Sequence, residues 1–142
     1  MSDYYNCTLS YPCSLTKEEV AEIDKICEEI GGQQYGKRSY FFEDVNHGTL
    51  PDRIADWFAS KGSAFVWEYC GGIYGDGAEI YDAETDSISE WLTCDSQIVI
   101  RLSGVDDADY IARARAADKL WSSIAGPTPE ERSVSGMSGS AA

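Results

Sequence analysis

A chain of 142 residues with 43% hydrophobic and 12% aromatic content has a folding composition. It is sized for one domain, burying roughly 68–70% of its extended-chain surface. The formal net charge is −14, from 25 acidic and 11 basic residues, beyond the magnitude of about 2–8 that suffices for solubility in a small domain. That excess repels phosphate backbones and disfavours both direct nucleic-acid binding and an anionic membrane surface, leaving a basic protein surface or a cation as the natural partner.

The opening residues MSDYYNC lack a basic region followed by an apolar run, and no stretch approaches the ~18 apolar residues of a membrane span. The expectation is a cytoplasmic protein. Cys7, Cys13, Cys27, Cys70 and Cys94 make an odd count without a secretory signal, which predicts reduced thiols.

Residues 4–11, YYNCTLSY, read as a first strand. TKEEVAEIDKICEEIGG reads as a helix with Thr16 as cap, Glu19 completing a capping box and Gly31 as the stop. Val20, Ile23, Cys27 and Ile30 form its apolar stripe. RSYFF at 38–42 is a second strand. A second helix follows in NHGTLPDRIADWFASKG, with Thr49 and Asp52 as start signals, Pro51 in the first turn, and Gly62 at the end.

From Ala64 the period changes to two, predicting a strand through Cys70. Further strands are predicted at Ala78–Tyr81, Ser87–Leu92 and Ser96–Leu102, with a hairpin turn at Ala83–Asp86. A third helix runs from Asp107 to Ala125, capped by Asp106 or Asp107 and stopped by Gly126-Pro127. The fold class predicted is α+β: a mainly antiparallel sheet of five to six strands with two to three helices on one face, in a single domain over 1–126. The polar tail 127–142 is expected to be disordered.

WEYCGGIYGDGAEIYDAETD, residues 67–86, carries four glycines, six carboxylates and four large aromatics with no basic residue. Its glycines at 71, 72, 75 and 77 do not follow the dinucleotide fingerprint, and no lysine is available for a P-loop, so a strand-connecting turn is the reading. Asp82, Glu84 and Asp86 match three positions of a calcium loop, but Ser87 and Thr93 occupy the places where that loop needs Gly and Glu. The acids read as a solvated hairpin tip, and no cofactor or metal is expected. Cys27, Cys70 and Cys94 read as buried, inert thiols. His47, the single histidine, reads as a surface-loop residue, and no catalytic set stands out.

The distribution of charge carries the functional expectation. Residues 62–100 hold eight acids and no Lys or Arg. Strands and helices place such acids in regular rows, a spacing able to imitate the phosphate ladder of a nucleic acid. In general character the chain resembles the small acidic inhibitors carried by phages and plasmids, some of which occupy the DNA or RNA groove of restriction or CRISPR machinery. The likeness is one of composition. It implies a non-enzymatic binding protein that occupies a basic surface of a nucleic-acid-binding partner.

The residues expected to form that surface are Asp76, Glu79, Asp82, Glu84, Asp86 and Glu90, with Tyr74, Tyr81 and Trp91 as aromatic anchors. The alternative is a small enzyme or ligand-binding domain with a carboxylate and tyrosine site beside the Gly71–Gly77 turn.

Overall fold

The computed structural model describes residues 3–126; the predicted disorder of 127–142 lies outside the described residues. The elements in chain order are β1 (Tyr4–Ser10), α1 (Lys17–Glu29), β2 (Gln33–Gly36), β3 (Ser39–Asn46), α2 (Asp52–Lys61), β4 (Phe65–Cys70), β5 (Gly77–Asp82), β6 (Ser87–Cys94), β7 (Gln97–Ile98) and α3 (Ala108–Ala125). The strands form one sheet in the order β2-β3-β1-β4-β5-β6-β7. Every pairing is antiparallel. The fold is therefore α+β, with seven strands where five to six were expected.

The helix ends follow local chemistry. The Thr16 hydroxyl accepts from the Glu19 amide at 3.1 Å, and the Glu19 carboxylate accepts from the Thr16 amide at 2.9 Å, completing the predicted capping box. Asp107 caps α3 by accepting from the Tyr110 amide at 3.1 Å. α2 ends at Gly62, whose φ of +63° is the left-handed cap that glycine adopts without strain. Its start differs from expectation: Pro51 occupies the cap position and neither Thr49 nor Asp52 supplies a side-chain cap.

The run Phe65-Val66-Trp67 is buried at all three positions. Successive strand residues point to opposite faces, so such a run requires cover on both. On one face Phe65 and Trp67 join Leu9, Phe42, Ile54 and Phe58 beneath α1 and α2. On the other, Val66, Ala78, Ile80 and Trp91 pack against Ala114, Ala117, Trp121 and Ile124 of α3. Of the two to three helices expected on one face, α1 and α2 share it; α3 lies opposite them, because the sheet centre is apolar on both sides.

Two strands also differ. β2, QQYG, carries no strand signal in the sequence because it is polar and exposed throughout. The strand expected at Ser96–Leu102 shrinks to Gln97–Ile98. Asp95 and Ser96 both adopt positive φ, +51° and +62°, and make the tight β6–β7 turn. The Val99 amide still donates to the Leu92 carbonyl of β6 at 2.9 Å, after which the chain leaves the ladder: the Arg101 amide donates to the Tyr110 hydroxyl, and a 3-10 turn covers Leu102–Gly104. Val99, Ile100 and Leu102 consequently remain exposed.

Candidate acidic cleft

α1 and α2 cover β1, β3 and β4 but stop short of β6. On that face Glu79 of β5 stands directly opposite Glu90 of β6, and Gly77 opposite Leu92. With the α2 start as one wall and the 71–77 turn as another, these strands form a cleft of about 630 Å³. Asp3, Asp52, Glu79 and Glu90 are its carboxylates, Tyr5, Tyr69 and Tyr74 its aromatics, and Ile88 and Leu92 its apolar floor. His47 is in its lining, which contains no Lys or Arg.

The tyrosines are held by close packing. Tyr5 and Tyr69 meet edge to face at 5.4 Å and 89°, a favourable aromatic geometry. The Tyr69 hydroxyl donates to Glu90 Oε2 at 2.8 Å, and the Tyr74 amide donates to the Tyr5 hydroxyl at 3.3 Å. Two glycines permit this approach. A Cβ at Gly72 would collide with the Tyr5 ring, and one at Gly77 with the Tyr69 hydroxyl. The turn itself is closed by Asp76, whose carboxylate accepts from the Gly71 amide at 3.1 Å, and Gly71 and Gly75 take φ of +83° and +93°. The expectation of a strand-connecting turn therefore holds.

Asp3 anchors the other wall. It is buried, with Oδ1 accepting from the Ile73 amide at 3.2 Å and its carbonyl accepting from the His47 amide at 2.6 Å. His47 Nδ1 lies 4.0 Å from Asp3 Oδ2, with the imidazole largely exposed. The His47 backbone holds φ of +59°, in the left-handed region, a conformation uncommon outside glycine. Gly48, next in the turn, accepts from Trp67 Nε1 at 2.9 Å, which ties this loop to the core.

The cleft lining itself is acidic, while Arg101 and Arg113 line an adjoining depression that shares Ile88, Glu90 and Leu92. Burial, and secondarily the facing Glu90, push the Glu79 carboxyl above the usual carboxylate range. Like charges directly opposite across two strands destabilise a sheet. Burial and the bond to Glu90 raise the Tyr69 phenol, so it remains a donor at neutral pH. Glu68, on the opposite face, is also raised by burial, opposed by the Ser96 hydroxyl bonded to it at 2.8 Å.

The nine residues expected to form one surface are dispersed. Glu79, Glu90 and Tyr74 meet in the cleft. Asp76 staples the glycine turn, Asp82 Oδ1 accepts from the Glu84 amide at 3.0 Å, and Asp86 Oδ1 accepts from the Tyr81 hydroxyl at 2.7 Å. Tyr81 is buried and stacks on Phe65 at 5.5 Å. Trp91 is buried on the α3 side, 6.0 Å from Tyr110. Neither ring is available as a surface anchor, because each fills one of the two cores. The acids accordingly do not make one regular row.

Asp3, Tyr5 and Asp52 enter the cleft without a sequence motif to announce them. The glycines at 72 and 77 are the signal that large side chains approach there. Among the described residues no three His, Cys, Asp or Glu side chains converge as a metal site, and no helix is long and apolar enough to cross a membrane. Cys7 and Cys27 are buried, whereas Cys13, Cys70 and Cys94 are exposed, which corrects the reading of Cys70 and Cys94 as buried thiols. No protein-family model, curated protein or solved structure matches the chain.

Proposed function

We propose that this chain is a non-enzymatic acidic binding protein that occupies a basic surface of a partner protein, with the cleft over β5 and β6 as its recognition site. The observation that carries the reading is the cleft lining: four carboxylates, three tyrosines and no Lys or Arg, with Glu79 and Glu90 facing each other. A cationic side chain placed there would relieve the like-charge opposition and meet aromatic faces that attract cations. The overall charge of −14 would steer a basic partner at rates that fall with salt. In its sharper form the proposal makes the partner a nucleic-acid-binding protein and this chain an inhibitor that competes for its groove.

The test is affinity capture on the tagged protein at about 0.05 M salt followed by elution at about 0.5 M, where screening is severe. A discrete basic protein released by salt, and by competing DNA or RNA for the sharper form, is the expected result. A blank capture, or one indifferent to salt, contradicts the proposal.

A second reading, a small ligand-binding or catalytic domain, draws on Asp3 beside His47 and on the raised Glu79 carboxyl at the same cleft. It predicts that His47→Ala abolishes function, whereas the binding reading predicts a small effect for this exposed side chain.

A further inference from the structure

β6, with the half-buried Glu79 beside it at the middle of β5, is the part of this sheet face that the α1–α2 layer leaves open; Gly77 and Tyr81 on either side of Glu79 are buried. Adjacent strands lie about 4.8 Å apart, so at the Glu79–Glu90 pair the strip is two strands wide and spans about 10 Å, the diameter of one α-helix with its side chains. Along β6 the open face reads Ile88, Glu90, Leu92, and those apolar side chains are 46% and 54% exposed. Glu79 lies across from Glu90, and Tyr74, 76% exposed, stands at the rim. Exposed antiparallel faces ordinarily alternate toward polar residues. This one instead sets two apolar residues around an acid, at a spacing of about 6.8 Å, close to that of helix neighbours at i and i+4.

We infer that this strip seats one basic amphipathic helix of a partner protein, completing the helical layer, with Lys or Arg against Glu79 and Glu90 and apolar residues against Ile88 and Leu92. The inference rests on the reading of the cleft as a binding site and adds the partner's chemistry and shape. Charge selects this occupant. A second copy would oppose the same four carboxylates to themselves. The chain's own residues 127–142 carry two acids, Glu130 and Glu131, against one base, Arg132, and so bring no net positive charge to the strip.

The test uses the full chain and three probes at about 0.15 M salt: a synthetic helix with Arg and Leu on one face, a sibling in which Ser replaces each Leu, and polylysine. Affinity is read by fluorescence anisotropy and location by amide shifts. The Arg/Leu helix should bind, move the signals of residues 77–79 and 88–92, and outbind its sibling by about tenfold or more, given the apolar area at stake. The double variant Ile88→Ser/Leu92→Ser, at exposed positions, should remove that advantage and leave the sibling's affinity unchanged.

Equal affinity of all three probes, shifts centred elsewhere, or no binding of the Arg/Leu helix overturns the inference. The two readings fail separately. A basic partner captured as described above, whose affinity the double variant leaves untouched, sinks the helix seat and spares the binding function. A blank capture with the Arg/Leu helix bound at β5–β6 does the reverse.

Discussion

Glu79→Gln should stabilise the free protein at neutral pH. Glu79 is half-buried, stands opposite Glu90 in the register, and its carboxylate gains no hydrogen bond among the described residues. Two unit charges at a cross-strand distance of about 5.5 Å repel by about 3 kcal/mol at an effective dielectric of about 20. Glu90 is exposed, and measured cross-strand pair effects are about 0.2–1 kcal/mol. The expected gain is therefore about 0.5–1 kcal/mol, a rise of roughly 2–5 °C in Tm for a domain of this size.

The sign with pH follows from the raised carboxyl. Folding penalises the Glu79 charge, so the penalty is absent below the unfolded pKa, near 4.3, and grows as pH rises through the higher folded value. The gain from Gln should be present at pH 7 and vanish by about pH 3.5. Thermal unfolding followed by circular dichroism at both pH values measures it, with Glu84→Gln at the exposed hairpin turn as a control expected to change little. A loss of stability at pH 7, or an equal gain at both pH values, would refute the argument.

Three further outcomes follow from the packing. Gly77→Ala drives a Cβ into the Tyr69 hydroxyl; it should cost about 1–3 kcal/mol in denaturant unfolding and disturb the cleft resonances. Leu9→Ala, at a fully buried position in the larger core, should cost about 2–5 kcal/mol by the same measurement. Alkylation of the native protein near pH 8 should modify Cys13 and Cys94 quickly and Cys70, whose thiol is raised by burial and by Asp76 and Glu68, more slowly. Cys7 and Cys27, whose thiols burial pushes up to about 12, should react only on unfolding; mass spectrometry of the labelled peptides reads the difference.

Much of the fold was readable because its signals are local. The Thr16–Glu19 capping box, the left-handed Gly62 and the period-two run from Phe65 each act within a few residues of themselves. What escaped depends on distant partners. The run Phe65-Val66-Trp67 already implied cover on both faces, yet only the packing of α3 on Val66 and Ile80 fixes which helix supplies it. The apolar residues after Ile98 read as a strand, and Val99 does still donate to Leu92 of β6, but the Arg101 amide turns to Tyr110 of α3 and a 3-10 turn follows.

The cleft was readable only in part for the same reason. The acidic, glycine-rich hairpin was visible, and Glu79, Glu90 and Tyr74 came from it. Tyr81 and Trp91 read as surface anchors from sequence because aromatic residues in a strand carry no mark of which face is covered. Asp3 meets Ile73, and Tyr5 meets Tyr74, across most of the sheet's chain length, contacts that no local pattern records.

The measurement closest to the central claim compares two charge reversals in binding a purified basic partner at fixed salt. Glu79→Lys/Glu90→Lys alters the cleft; Glu28→Lys/Asp118→Lys makes the same change of net charge at exposed positions on α1 and α3. The account predicts that the cleft pair weakens binding by about a hundredfold or more, as expected for charges at the centre of an interface. The remote pair should lower chiefly the association rate, by a few-fold. Equal losses from both pairs would mean that bulk charge alone does the binding, and would contradict the account.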